Sequence, residues 1–179
     1  MALNPASPLA QLMLSPVRAG RVEWIGIRPA RRAAMLTPDR IELNSQDGIV
    51  GDRYMSKTTG NRHVTLIQSE HLMAIACFLG RDQVTPEDLR RNIVVSGLNL
   101  LALKDREFRL GSATLKMTGD CHPCSRMEET FGPGGYNAVR GHGGITARVI
   151  MAGTVAIGET VVPMSAPINN MTPQDHNAV

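Results

Sequence analysis

Residues 145–162, ITARVIMAGTVAIGETVV, form three short apolar runs divided by glycines. Apolar side chains alternate with others from 145 to 151, and Gly153 then leads into a second run at 154–157. Gly158 precedes the third run, at 160–162. Alternation between turn-forming residues is typical of β-strands. The stretch therefore predicts three short, closely spaced strands.

The rest of the chain adds more strand patterns and few helices. Strands are predicted at 21–27, 40–43, 63–67, 92–95 and 109–117. One helix is predicted to begin with Ser69 as its N-cap and to stop at Gly80, and a short one follows Thr85-Pro86. This order lacks strict strand–helix alternation. It predicts a mainly β fold, a closed or strongly curved β-barrel with a few helical insertions, over a parallel α/β sheet.

The predicted domain covers residues 21–162, between a flexible leader at 1–20 and a flexible tail at 163–179. Both ends contain several prolines and no periodic pattern. The leader lacks the basic start and long apolar run of a secretory signal, and no stretch approaches 18 consecutive apolar residues. Three cysteines do not make a disulfide framework. We therefore expect a cytoplasmic protein that does not associate with a membrane.

The composition narrows the class of ligand. Hydrophobic residues make up 42% of the chain but aromatic residues only 3%, so stacking on nucleic acid bases is not expected. The net charge of +3 is scattered, which also disfavours nucleic acid. Arginine outnumbers lysine by 16 to 3. Because guanidinium groups pair well with phosphate and carboxylate, this bias favours an anionic small molecule, although coding bias alone would also produce it.

The segment at 119–126, GDCHPCSR, carries two of the three cysteines. Ser125 and Glu128 match a capping box, so a helix is predicted to begin at about Arg126. Cys124 then immediately precedes a helix N-terminus, where the helix dipole and Arg126 favour a thiolate. Cys121 lies in the turn and gains less. The segment therefore predicts a reactive thiol at Cys124.

Four interpretations of the two cysteines compete. A redox C-x-x-C pair normally sits in a βαβ surround, which is missing here. A zinc site needs four ligands, and the others would have to come from His63, His122 or His142. A single thiolate could hold a heavier metal or accept sulfur, and two inert structural thiols are the fourth interpretation. Haem attachment is excluded because Ser125 follows the second cysteine.

The order of several segments resembles the MOSC family, named after the C-terminal domain of molybdenum cofactor sulfurase. The segments are residues 48–53, 63–70, 89–97 and 108–117, then Pro123-Cys124, and finally 144–149 with Gly153 and Gly158. They span the predicted domain in the family's order. The resemblance implies a β-barrel fold and a pocket for the molybdenum cofactor, a pterin dithiolene with a terminal phosphate.

The family's hallmark cysteine follows a proline and corresponds to Cys124. In enzymatic relatives such as the mitochondrial amidoxime reducing component this cysteine ligates molybdenum, and in the sulfurases it is proposed to carry sulfur. The resemblance thus implies a small molybdenum oxidoreductase that reduces N-hydroxylated or N-oxide compounds with electrons from a partner. A sulfur or cofactor carrier without turnover is the alternative. The sequence shows no pyridoxal phosphate domain, so a carrier would need a separate sulfur donor.

Other positions match the family less directly. Asp52, Arg53 and Asn92 fall in its motifs and are candidate cofactor-binding residues, and Arg53 or Arg148 is a candidate fork for the cofactor's phosphate. Arg126 is expected to add positive charge beside Cys124 and to help bind the cofactor, and His122 or His142 is a candidate proton carrier. Cys121 and His122 are not part of the Pro-Cys signature, so Cys121 remains a second ligand, a resolving thiol or a structural residue. The glycine-rich residues 131–144 predict a mobile loop beside the cysteine.

Overall fold

The computed structural model describes residues 4, 7–13, 15–54 and 60–164. The strands within these residues are β1 (Gly20–Ile25), β2 (Arg40–Asn44), β3 (Gly48–Ile49), β4 (Val64–Gln68), β5 (Ile93–Ser96), β6 (Glu107–Leu110), β7 (Ala113–Asp120), β8 (Ile145–Met151), β9 (Gly153–Ala156) and β10 (Thr160–Pro163). The helices are α1 (Pro8–Met13), α2 (Ser69–Leu79), α3 (Pro86–Leu89), α4 (Arg126–Phe131) and α5 (Gly135–Val139), with a 3₁₀ helix at Leu100–Leu103.

Seven strands close into a barrel in the order β1-β10-β6-β7-β8-β4-β5, and β5 pairs with β1 to complete the circle. Neighbouring strands are antiparallel except β4 and β5, which run parallel. Strands β3, β2 and β9 form a separate three-stranded sheet. The prediction of a mainly β barrel with a few helical insertions is therefore confirmed, and a parallel α/β sheet is not formed.

The apolar core has two parts. The barrel interior is filled largely by aliphatic side chains around the fully buried Phe108. A second cluster joins α2, α4 and α5 to the outside of β4 and β5 through residues such as Ile67, Ile75 and Phe131. All five residues of β4 are buried, as expected for a strand that is covered on both faces. The helices thus cover the outer face of β4 and β5.

The strand predicted at 109–117 is wrong as a single element. It is a hairpin of β6 and β7, with Leu110 opposite Ala113 across a turn at Gly111 and Ser112. Gly111 has φ +57, a left-handed conformation that favours glycine, and its backbone lies against Glu159 and Thr154. The apolar alternation changes phase at the turn, from Leu110 to Ala113, Leu115 and Met117. This shift and the Gly-Ser pair were the turn signal that the prediction of a single strand missed. Strand β7 then continues to Asp120, past the predicted end at Met117.

The helix caps match the prediction in part. Thr85 caps α3 in a capping box with Asp88, and Gly80 ends α2 in the left-handed conformation, as predicted. Ser69 is the first residue of α2 and not its cap, because Gln68 occupies that position. The capping box predicted for Ser125 is also wrong. Its backbone is already helical, and its side chain makes no capping hydrogen bond.

Glu128 is used elsewhere, which explains the missing box. Its carboxylate accepts hydrogen bonds from the backbone N–H groups of Gly134, at 3.0 Å, and Tyr136, at 2.8 Å. These bonds tie α4 to α5 across the glycine-rich turn. The segment predicted as a mobile loop at 131–144 therefore contains helix α5, whose Ala138 and Val139 are buried.

The predicted ends of the domain can be compared with the strands. The first barrel strand begins at Gly20 and the last ends at Pro163, each one residue beyond the predicted bounds. The leader contains helix α1, which has no buried residue. Residues 165–179 of the predicted tail lie outside the described residues. In the described part of the chain, no helix has the length and apolar character to cross a membrane.

Candidate functional site

The cysteine segment connects the end of β7 to the start of α4. Cys121 is buried, and its backbone N–H donates to the carbonyl of Gly144 at 2.8 Å. Cys124 is exposed, and its carbonyl accepts from the N–H of Met127 in the first turn of α4. Both thiols are free. The two cysteines thus differ in access, and only Cys124 presents its thiol to an incoming ligand.

A cavity of about 230 Å³ opens beside the Cys124 thiol, and we call it the arginine pocket. It gathers five arginines with the cysteine and histidine of the C-x-x-C segment. Its lining residues are Arg28, Arg53, Leu89, Arg90, Arg91, His122, Pro123, Cys124, Arg126 and Met127. Four residues predicted from sequence, Arg53, His122, Cys124 and Arg126, therefore come together in one place.

The arginine pocket is strongly positive, because no acidic side chain is among its described lining residues. Burial lowers the pKa of Arg90, and the charges of Arg126, Arg28 and Arg53 lower it further. Arg90 is held in place by its guanidinium, which donates to the carbonyls of Ala33 and Ala30. Such a concentration of cations creates a potential that favours a bound anion.

Arg91 is the buried member of this group. Its guanidinium donates to the backbone carbonyls of Gly143 at 2.7 Å, Leu89 at 2.6 Å and Cys121 at 3.4 Å. Burial lowers its pKa, while the neighbouring thiols of Cys121 and Cys124 act in the opposite direction. A buried cation held only by neutral carbonyls gains from a nearby negative charge. Arg91 therefore holds the cysteine segment in place and adds a positive charge that favours a bound anion.

The loop against Cys121 depends on a glycine. A side chain at Gly143 would overlap the carbonyl oxygen of Cys121 and come within 3.2 Å of the Arg91 guanidinium. Glycine thus permits the close approach that lets Arg91 join the Gly143 loop to the cysteine segment.

Arg126 contributes a further unsatisfied group. Its Nε is buried and has no hydrogen-bond partner among the described residues. Buried N–H groups normally have partners, so this atom is suited to meet a ligand oxygen. Arg126 is thus both a wall of the pocket and a candidate donor to its ligand.

Asp52 and Asn92 lie behind the pocket and do not line it. The Asp52 side chain is fully buried and binds Arg28 through two contacts, from Nε at 3.0 Å and Nη2 at 2.9 Å. Burial alone would raise the pKa of Asp52, but the hydrogen bonds and charge of Arg28 hold it below its usual value. Asn92 donates from Nδ2 to the same carboxylate, at 3.0 Å. Both residues therefore position Arg28.

The remaining amide groups of Asn92 are also used. Nδ2 donates to the carbonyl of Gly26, and Oδ1 accepts from the hydroxyl of Thr65 at 2.8 Å. Arg148 lies on β8 opposite Lys116 and does not line the arginine pocket. Burial is the main cause that lowers the pKa of His63, and the charge of Arg148 lowers it further. The zinc interpretation gains no support, since no cluster of three or more metal-binding side chains occurs in the described residues.

Three arginines of the pocket, Arg28, Arg90 and Arg91, were not predicted from the sequence. Arg90 and Arg91 stand directly before Asn92 in a segment that the family resemblance includes, so the paired arginines were the available signal. Arg90 has φ +53 and forms the left-handed C-cap of α3. The chain therefore changes direction between Arg90 and Arg91. Arg28 follows β1 with no local motif, and only the fold brings it to the site.

Comparisons with known proteins agree with this architecture. The YuaD protein from Bacillus subtilis superposes with a TM-score of 0.73 at 20% identity, over 83% of this chain and 97% of that chain. YiiM from Geobacillus stearothermophilus has a TM-score of 0.64 at 17% identity, over 84% and 77%. YiiM from Escherichia coli has a TM-score of 0.62 at 19% identity, over 82% and 70%. At these identities the likeness shows the fold alone.

No curated protein is significantly similar to this chain in sequence. The family described as MOSC domain matches residues 45–162, which include Asp52, Arg53, Asn92 and the whole cysteine segment. MOSC domains are associated with the molybdenum cofactor. The match covers well over half of the chain, and the closed barrel supports it. This chain therefore belongs to the MOSC domain family.

Proposed function

We propose that the arginine pocket binds the molybdenum cofactor, with Cys124 as a metal ligand, and that the protein is a small oxidoreductase acting on N-hydroxylated or N-oxide compounds. The observation that carries the proposal is the exposed Cys124 thiol in a pocket lined by five arginines and no described carboxylate. The donor set suits this group. A thiolate is a soft ligand for a metal already held by sulfur, and guanidinium forks suit a phosphate.

The size of the arginine pocket is consistent with one end of a larger ligand. Its volume of about 230 Å³ lies below the range of roughly 300–1,000 Å³ usual for sites that enclose a whole small molecule. Arg53, Arg91 and Arg126 are the candidates for neutralising the cofactor's phosphate. Arg28 is restrained by Asp52 and supplies charge from a fixed position.

When bound, the cofactor would supply the redox chemistry, accepting the substrate oxygen and two electrons from an electron-donor protein. The chain's own residues would bind and orient it. Arg91 braces the carbonyls of Cys121 and Gly143, which holds the segment carrying Cys124 against the pocket. His122 lines the pocket two residues before Cys124, and we assign it the role of carrying protons to the departing oxygen.

A test begins with protein purified from cells that make the molybdenum cofactor. We expect stoichiometric molybdenum and pterin, and reduction of benzamidoxime with a reduced viologen dye as electron source. Replacing two pocket arginines, Arg53→Gln with Arg126→Gln, should lower pterin content, whereas Arg109→Gln on the exposed side of β6 should not.

Two outcomes would overturn the oxidoreductase proposal. Wild-type protein free of metal and pterin but carrying an added sulfur mass at Cys124 would favour the sulfur carrier instead. Protein that holds the cofactor yet reduces no N-hydroxylated or N-oxide compound would favour a cofactor carrier. Both alternatives use the same exposed thiol, so only these measurements separate them.

A further inference from the structure

A second cavity lies on the other side of the cysteine segment. It has a volume of about 350 Å³, and we call it the His71 cavity. His122 lines both cavities, and Cys121 forms part of the wall of the second one. The segment from Cys121 to Cys124 is thus a partition, with the thiol of Cys124 on the arginine side. The His71 cavity reaches the lower end of the size range of small-molecule sites.

The chemistry of the His71 cavity differs from that of the arginine pocket. Leu100 and Leu101 supply an apolar wall, while one carboxylate, Asp120, and one guanidinium, Arg140, supply opposite charges. An anion would gain nothing overall from this balanced pair. An apolar wall with a few placed donors and acceptors is typical of a site for an uncharged small molecule.

His71 gives the cavity a half-buried imidazole whose Nδ1 atom is unused. Its Nδ1 is buried and has no hydrogen-bond partner among the described residues, and Nδ1 of His142 is in the same condition. The two rings meet edge to face with centroids 4.8 Å apart. Burial and then the charge of His142 lower the pKa of His71, which favours a neutral ring that can accept or donate. A buried polar atom without a partner is costly unless a ligand or water satisfies it.

Gln68 is held in one orientation at the floor of the cavity. The residue is almost fully buried at the end of β4, and its Oε1 accepts from the backbone N–H of Leu100 at 3.3 Å. With the carbonyl oxygen turned to the protein, the amide N–H groups are the part of the side chain suited to donate to a ligand. The floor thus offers a donor, and Asp120 offers an acceptor.

We propose that the His71 cavity is a second binding site, and that it takes a small, flat, uncharged molecule with adjacent N–H donors and an acceptor atom. The flat face would pack on Leu100 and Leu101, Asp120 would accept from the N–H groups, and Gln68 would donate to the acceptor. Two sources share this chemistry. One is an N-hydroxylated substrate and the other is the pterin ring of the cofactor; this choice of source rests on the proposed function.

The binding test uses full-length protein made in cells that lack the cofactor. Amide signals are followed by ¹⁵N NMR during titration with benzamidoxime, with 6-methylpterin and with benzoate. We expect saturable shifts at Gly141, Gly143 and Ile145 for at least one neutral probe, with benzoate about tenfold weaker. Asp120→Asn should weaken the neutral probe by about tenfold, and Asp82→Asn, at a different cavity, should leave it unchanged.

The same experiment identifies the source and can overturn the proposal. Benzamidoxime that still binds after cofactor loading would identify the cavity as the substrate site. Binding of 6-methylpterin by unloaded protein, with benzamidoxime excluded after loading, would identify the site of the pterin ring. The proposal is overturned if neither neutral probe binds, if the shifts map to Arg53 and Arg126, or if Asp120→Asn binds as wild type. The outcomes that overturn the proposal are all measured on unloaded protein, so they do not depend on whether the arginine pocket binds cofactor.

Discussion

The carboxylate of Asp52 and the guanidinium of Arg28 form a two-point ion pair, with both contacts at 3.0 Å or less, and the Asp52 side chain is completely buried. The backbone N–H of Arg28 donates to the same carboxylate at 2.9 Å. One acidic residue thus fixes both the backbone and the charged end of an arginine that lines the pocket. The pair joins the loop after β3 to the segment after β1.

Breaking this pair should destabilise the protein. Asp52→Ala leaves Arg28 without its counter-charge and removes one of the two acceptors of the Asn92 amide group, so we expect a loss of about 3 kcal/mol in the free energy of unfolding. Urea denaturation measures the change. Arg21→Gln removes only an exposed contact of 3.9 Å to Glu23 and should cost less than about 1 kcal/mol. Equal effects of the two substitutions would contradict the buried pair's role.

Stability should fall on mild acidification because of His63. The residue is 1% exposed, and its Nδ1 accepts from the N–H of Val149 at 3.1 Å, which requires a neutral ring. Burial and then the charge of Arg148 lower its pKa in the folded state. The stabilisation is therefore complete above the unfolded pKa of about 6.5 and is lost as pH falls below it. Denaturation midpoints between pH 7.5 and 5 test this.

The matched variant for that measurement is His63→Gln, which cannot titrate. We expect it to be less stable than wild type at pH 7.5 but to lose less stability between pH 7.5 and 5. An unchanged pH dependence in this variant would exclude His63 as the source of the acid sensitivity.

The reactivity of the cysteines should report the charge of the arginine pocket. Cys124 and Cys77 are both exposed, but only Cys124 lies beside arginines. The quantity compared is the rate of modification by anionic iodoacetate divided by the rate with neutral iodoacetamide. This ratio should be several-fold higher at Cys124 than at Cys77, and salt should reduce the difference. Peptide mass spectrometry gives both rates. Arg126→Gln should lower the preference and Arg109→Gln should not, while equal ratios at the two cysteines would argue against a positive pocket.

The contact of Glu128 with the turn before α5 should matter for stability. Glu128→Ala removes the acceptor of two backbone hydrogen bonds, so we expect a loss of about 1 kcal/mol in the free energy of unfolding. Glu129→Ala removes only an exposed contact with Arg32 and is the control, with an expected change below about 0.5 kcal/mol. Thermal and urea denaturation of the two variants would show whether α4 and α5 are joined in this way.

Local patterns in the sequence predicted most of the barrel. Alternation and glycine punctuation identified the strands at 145–162, because each of these runs is short and ends at a turn. The same reasoning failed at Gly111, where the apolar alternation changes phase between Leu110 and Ala113 and the shift was not recognised as a hairpin turn. The closure of the barrel and the parallel pairing of β4 with β5 depend on contacts between distant segments, which local patterns do not encode.

The sequence predicted the site residues that stand close together in the chain and missed those that the fold brings in from distant segments. Cys124 and Arg126 stand in one short segment, so the sequence brought them together. Arg28 and Arg91 reach the pocket from segments far away in the chain, and their roles depend on the buried Asp52 and on the carbonyl of Gly143. Asp52 and Asn92 were selected by their motifs, yet motifs do not distinguish a residue that contacts a ligand from one that positions its neighbour.

The central claim is that Cys124 holds molybdenum in the arginine pocket. It is tested most directly by the molybdenum content per chain of wild type, Cys124→Ser and Cys77→Ser, all purified from the same cofactor-producing cells. Cys77 is an exposed cysteine on α2 and controls for the loss of a surface thiol. We expect stoichiometric metal in wild type and Cys77→Ser and a strong loss in Cys124→Ser. Equal molybdenum in all three proteins would contradict the claim.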